Sequence, residues 1–123
     1  MLLSSVKSTK KLGNLTEEMA LKYLLDNGLT LIKKNFSHRI GEIDIIMQDK
    51  TAIVFIEVRY RKNTNFGFPE ETVTYKKQKK IKSTALIYIS RNPKFKNAQP
   101  RFDVVAMTPN DEELSINWIK NAF

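Results

Sequence analysis

The chain contains no cysteine, which excludes disulfides and thiolate metal sites and leaves the redox compartment open. It has one histidine, His38, which falls in an expected turn and is read as incidental rather than catalytic. No apolar run approaches a membrane span, and the opening Met1-Leu2-Leu3-Ser4-Ser5 is far too short for a secretory hydrophobic region. A cytoplasmic protein without a membrane partner is therefore expected. Internal repeats, low-complexity runs and linkers are absent as well. Acidic residues are scarce relative to basic ones, 13 against 21, a net charge of +8. Such a surplus favours polyanions, of which nucleic acid is the commonest; the competing reading is a basic soluble protein with no such role.

What remains is one globular domain. A length of 123 residues suffices for a single core and not for two, and 41% apolar residues separate the chain from disordered sequences. Residues 1–12 lack a hydrophobic period and read as a mobile basic lead, leaving 13–123 as the domain. A first helix is expected from Leu15 to Asn27, with Asn14 as its cap, Glu17 placed as in a capping box and Gly28 as the left-handed stop. Strands follow at Leu29–Phe36, Ile40–Gln48 and Thr51–Arg61, the last two joined as a hairpin near Asp49-Lys50. A loop over 62–69 leads to a long helix from Glu71 to Ser90, with Ile81, Ala85, Tyr88 and Ile89 on its apolar side. After a second loop come a strand at Arg101–Met107, a turn at Thr108–Asp111 and an edge strand at Leu114–Ile119. The order α-β-β-β-α-β plus one edge strand implies an α/β fold with one mixed sheet and helices packed on it.

Two of these apolar strands carry acids where a core strand should carry none: Gly41-Glu42-Ile43-Asp44-Ile45-Ile46 and Ile53-Val54-Phe55-Ile56-Glu57-Val58-Arg59. Side chains alternate faces along a strand, so Glu57 and Arg59 point the same way. A two-residue turn at Asp49-Lys50 pairs Asp44 with Phe55 and Glu42 with Glu57; a four-residue turn pairs Asp44 directly with Glu57. Either puts Asp44 and Glu57 on one face, roughly 5–8 Å apart at Cβ, a span one divalent cation bridges. A turn of three or five residues would separate them. Two bland readings compete: a solvated sheet face, weakened by Ile53 and Phe55 beside Glu57, and a structural salt bridge of Arg59 with Glu57 or Asp44. Glu17 lies on the apolar stripe of Ala20, Leu21 and Leu24, so it either caps its helix with Asn14 or reaches the sheet and a metal. Carboxylates of this kind suit Mg²⁺ or Mn²⁺. Arg59 would stabilise charge on a phosphate and is a poor general base.

These residues resemble the PD-(D/E)xK nuclease superfamily, the restriction-endonuclease-like fold shared with Holliday-junction resolvases. Within it the chain closely resembles the bacterial YraN family of small proteins, over nearly its whole length. This likeness is carried by Gly13 with Glu17 and Ala20, by Gly41-Glu42-Ile43-Asp44, by Phe55-Ile56-Glu57-Val58-Arg59-Tyr60-Arg61, by Lys77 with Lys80, and by Arg101-Phe102-Asp103-Val104-Val105. The resemblance implies a restriction-endonuclease-like αβββαβ core with an extra C-terminal edge strand. It also implies that Asp44 and Glu57 are the metal-binding acids and Glu17 the additional helical acid. Arg59 stands where the superfamily motif has lysine, which bears on proton transfer, and Ile43 replaces the motif proline. Glu42 is either a further ligand or a structural acid.

Five lysines, Lys76, Lys77, Lys79, Lys80 and Lys82, crowd the long helix. They form either a solvated face or, with Lys76, Lys77, Lys80 and Arg61, a rim that holds a nucleic-acid backbone. Phe66 and Phe68 either stack on unpaired bases or pin their loop. The sequence and the resemblance thus point to a metal-dependent nuclease acting on DNA, structured or branched DNA being one candidate substrate, with catalysis resting on Asp44, Glu57 and Arg59. Junction cutting would call for a homodimer. The alternatives are a non-catalytic nucleic-acid-binding module of repair or recombination, and a protein-interaction domain whose charge serves solubility.

Overall fold

The computed structural model describes residues 9–63, 65 and 67–123. Helix α1 (Thr9–Asp26) is followed by strands β1 (Thr30–His38), β2 (Gly41–Asp49) and β3 (Ala52–Tyr60). A short 3-10 turn (Pro69–Thr72) leads into helix α2 (Tyr75–Arg91), and a second (Pro93–Phe95) into β4 (Gln99–Asn110) and β5 (Glu113–Ile119). The strands form one mixed sheet in chain order. All neighbours are antiparallel except β3 and β4, which run parallel across the α2 crossover. No helix among the described residues is long and apolar enough to cross a membrane.

The central strands are apolar on both faces because both are covered. Ala20, Leu21 and Leu24 of α1 pack on Ile45, Met47, Val54, Ile56, Val58, Val105 and Met107. On the other face Ile81, Ala85 and Tyr88 of α2 meet Ile46, Ile53, Phe55 and Val104. At the end of α1, Gly28 adopts φ +96° and the Leu29 N–H donates to Leu24 O at 3.1 Å, the left-handed stop that glycine permits. Helix α2 is capped by Thr74, whose side chain accepts from the Lys77 N–H.

Several boundaries differ from the sequence expectation. Helix α1 begins at Thr9, so Asn14 sits inside it and the Asn14–Glu17 capping box does not form. Residues 9–12, expected in the lead, are helical; the remainder of that lead, like Phe66, lies outside the described residues. The second helix starts at Tyr75 rather than Glu71, because Pro69–Thr72 takes the tighter 3-10 form. Strand β4 extends to Asn110, through the expected turn, because β5 pairs with it as far as Asn110↔Glu113.

One buried acid is purely structural. Asp103, fully inaccessible, accepts from Arg101 Nε and Nη2, from Trp118 Nε1 at 3.0 Å and from the Asn121 N–H at 2.9 Å. Arg101 continues to Asp49 Oδ2 at 3.0 Å. Every ionised group there is paired, as burial demands.

Candidate functional site

The β2–β3 register settles where the acids meet. Asp49 pairs with Ala52 and Gln48 with Ile53, so the two-residue loop is Lys50-Thr51, one position later than expected. Lys50 takes a left-handed φ of +57° there. Continued along the strands, this register sets Asp44 opposite Glu57, the pairing a four-residue turn was expected to give. Ladder pairing nevertheless stops at Ile45↔Ile56. Ile43 and Ile46, three positions apart, pack into the α2 layer, whereas Ile45 packs into the α1 layer. Side-chain packing thus changes layer around Asp44, although the β1–β2 register runs regularly past it from Lys34↔Ile45 to Phe36↔Ile43. The Asp44 carboxylate accepts the Val58 N–H at 2.8 Å.

Glu57 is buried at 4% exposure, and its Oε2 accepts from Arg59 Nη2 at 3.1 Å. The salt bridge weighed from sequence is thus present, in the Glu57 form. It leaves the pair incompletely satisfied. Among the described residues, the buried side-chain nitrogen and oxygen atoms without a hydrogen-bond partner are Glu57 Oε1 and Arg59 Nε. The contrast with Asp103, whose two oxygens are fully engaged, separates a structural acid from one with coordinating capacity in reserve.

The electrostatics agree. Burial, then the Asp44 charge, push the Glu57 carboxyl up to about 8, with Arg59 and the Asp44 backbone amide pulling the other way. Burial also raises Asp44, against the Val58 N–H and the Arg59 charge. Glu17 is raised to about 7, by burial first, then by Asp44 and Glu42, with Lys34 opposing. Glu17 lines a cleft of about 290 Å³ between α1 and β1, with Asn14, Glu18, Lys34 and Asn35. It feels Asp44 without joining it: among the described residues, no three acidic or histidine side chains converge as a ligand set. Glu42 is exposed and acts on all three acids through its charge.

The α2 lysines divide. Lys79 Nζ lies over the Tyr75 ring at 4.7 Å, and Lys82 over Phe102 and Phe123 at 5.8 Å each. Lys80 is placed differently. A Cβ on Gly41 would stand 2.9 Å from Thr84 Oγ1 and 3.6 Å from Lys80 Cβ, so the glycine lets α2 press against the start of β2. That contact brings the exposed Lys80 beside the segment carrying Glu42 and Asp44. Lys76 and Lys77 are exposed on the first turns of α2, and Arg61, half-buried, follows β3 with its N–H on Met107 O. His38, expected in a turn, is the last residue of β1 and accepts the Ile40 N–H at 3.4 Å across the turn that follows.

Two features escaped the sequence reading. The structural role of Asp103 was signalled by an acid two positions after Arg101 inside an apolar run. The change of layer at Asp44 had no comparable signal.

A family model described as "Uncharacterised protein family UPF0102" matches residues 16–107, which include Glu17, Asp44, Glu57 and Arg59. The chain belongs to this family. A UPF0102 protein of Francisella tularensis is 46% identical over 116 residues, covering 94% of this chain and 96% of the relative. One from Aliivibrio fischeri is 45% identical over 111 residues, 89% of each chain. A third, from Caldanaerobacter subterraneus, is 44% identical over 117 residues, 93% of this chain and 95% of its own. The YraN resemblance and the UPF0102 match describe the same family.

Proposed function

We propose that this UPF0102 member is a metal-dependent nuclease of restriction-endonuclease-like architecture that hydrolyses phosphodiester bonds in DNA, structured or branched DNA among its candidate substrates. The observation that carries the reading is Glu57 Oε1, a buried carboxylate oxygen without a hydrogen-bond partner, opposite a second acid that shares its repulsion. Such oxygens fit a hard cation. Asp44 and Glu57 would hold Mg²⁺ or Mn²⁺, with Glu17 in the neighbouring cleft. Bound there, the cation supplies charge neutralisation on a phosphoryl oxygen and a more acidic water.

The chain's own residues do the rest. The Val58 N–H fixes the Asp44 carboxylate. Glu57 orients Arg59 through its Nη2, leaving the guanidinium to stabilise charge developing on a phosphate while keeping its own proton. Lys80, with Lys76, Lys77 and Arg61, positions the backbone and carries no sequence information. A second reading, a nucleic-acid-binding module without cleavage, is favoured by one feature: arginine at the motif lysine position, engaged with Glu57.

The test is calorimetric titration of Mn²⁺ into wild type, Asp44→Asn and Glu57→Gln, followed by cleavage assays on single-stranded, duplex, flap and junction DNA with both metals. Saturable binding lost in both variants, together with cutting of at least one substrate, is the expected result. Metal and DNA binding without cutting would leave the binding module, and absence of metal binding would overturn the nuclease.

A further inference from the structure

Pairing across β3, β4 and β5 carries the site's face toward the sheet edge. Arg59 is level with Ala106, and Ala106 with Asn117. The row before it is Glu57, Val104 and Ile119, of which Val104 is buried in the α2 layer and Ile119 packs against it. Arg59, Ala106 and Asn117 therefore lie on the α2 side, one strand spacing apart, about 4.8 Å. Past the N-terminal end of α2 this side is left open by the helix and bordered by the 3-10 turn that begins at Pro69. A cleft of about 440 Å³ results, lined by Phe68, Glu70, Ala106, Thr108, Ser115 and Asn117 among others. That volume lies in the range of small-ligand sites.

Its chemistry is selective. The lining contains no lysine, arginine or histidine, and Glu70 adds a negative charge, so the cleft is not a phosphate site. It offers one aromatic ring, a small apolar floor at Ala106, two hydroxyls and one amide. Phe68 is 55% exposed, so much of its ring is free to be covered by a ligand. A planar group with an apolar face and hydrogen-bonding edges matches this set, and the phosphate-binding arginine stands one strand away.

We infer that this cleft receives an unpaired nucleobase, stacked on Phe68 and contacted at its edge by Asn117, Thr108 and Ser115, next to the phosphate that Arg59 faces. The inference rests on the nuclease reading and narrows it to substrates with a single-stranded step at the site. A fully paired duplex keeps its bases in the stack and cannot fill the cleft.

Fluorescence anisotropy tests it, at low salt with EDTA so that no strand is cut. The probes are a labelled single strand, the same strand bearing abasic residues at successive positions, and its duplex. Phe68→Ala is expected to weaken the base-bearing strand about tenfold, the size of one stacking contact, and to leave the abasic strand unchanged. Phe68→Tyr restores binding, and Asn117→Ala weakens the base-bearing strand alone. Equal affinity of wild type for all three probes, or an equal loss on base-bearing and abasic strands in Phe68→Ala, overturns the base subsite while the nucleic-acid reading stands. No binding of any probe overturns both, and a change of oligomeric state in Phe68→Ala assigns the cleft to a second copy of the chain instead.

Discussion

The Asp44 carboxylate accepts the backbone N–H of Val58 at 2.8 Å, at the point where pairing between β2 and β3 gives out. A side chain thus completes what the backbone ladder leaves undone, and the charge of the same group acts on Glu57. Anchoring and charge are separable functions of this carboxylate. Asp44→Asn retains an oxygen for the Val58 N–H and should keep the fold while abolishing Mn²⁺ binding. Asp44→Ala leaves that N–H without its acceptor, at a cost of about 1–3 kcal/mol. Urea unfolding beside calorimetry separates the two effects.

Stability should depend on pH in an unusual direction. Glu57 holds its proton to about 8 in the folded state against an ordinary value of 4.5, and Asp44 and Glu17 are shifted the same way. The folded state then binds more protons than the unfolded one between those limits, so stability falls as pH rises through that window. With EDTA present, the melting temperature is expected to be higher near pH 5.5 than near pH 8.5. Glu57→Gln should raise it at the alkaline end and flatten the profile, each pKa unit being worth about 1.4 kcal/mol. Added Mn²⁺ should do the same for the wild type, and a flat wild-type profile would show that the acids ionise freely.

Gly41 is a close-packing glycine. Its substitution by alanine places a methyl 2.9 Å from Thr84 Oγ1, which is buried and bonded back to Lys80 O at 2.7 Å. Overpacking of this kind costs about 1–3 kcal/mol. Adding Thr84→Ala removes the obstructing oxygen and should recover part of the loss. Chemical denaturation of the two single variants and the double measures that coupling directly; strict additivity would mean that α2 does not bear on Gly41.

Much of this was readable in the chain. The central strands were legible because their apolar runs are covered on both faces, and the β2–β3 hairpin was legible although its loop sits one residue further along. The start of α1 was misread because Asn14 and Glu17 imitate a cap. Asn14 is instead an exposed residue within the helix, and local cap chemistry yields there to a helix that continues. The change of layer around Asp44 was illegible because Ile43, Ile45 and Ile46 are apolar whichever layer they enter. Asp103 is a third case: Arg101, two positions before it, was in plain view, but its other donors, Trp118 and Asn121, lie far along the chain and only the fold brings them to it.

The strands lie in the sheet in the order in which they occur in the chain, and this bears on how the domain assembles. Asp44 and Glu57 belong to one tight hairpin, so bringing them together closes a short loop, while only the β3–β4 pairing must wait for the long connection through α2. Hairpins form within microseconds. That hairpin needs no contact with α2, whereas the burial that raises the Glu57 carboxyl comes only when helices cover both faces of the sheet.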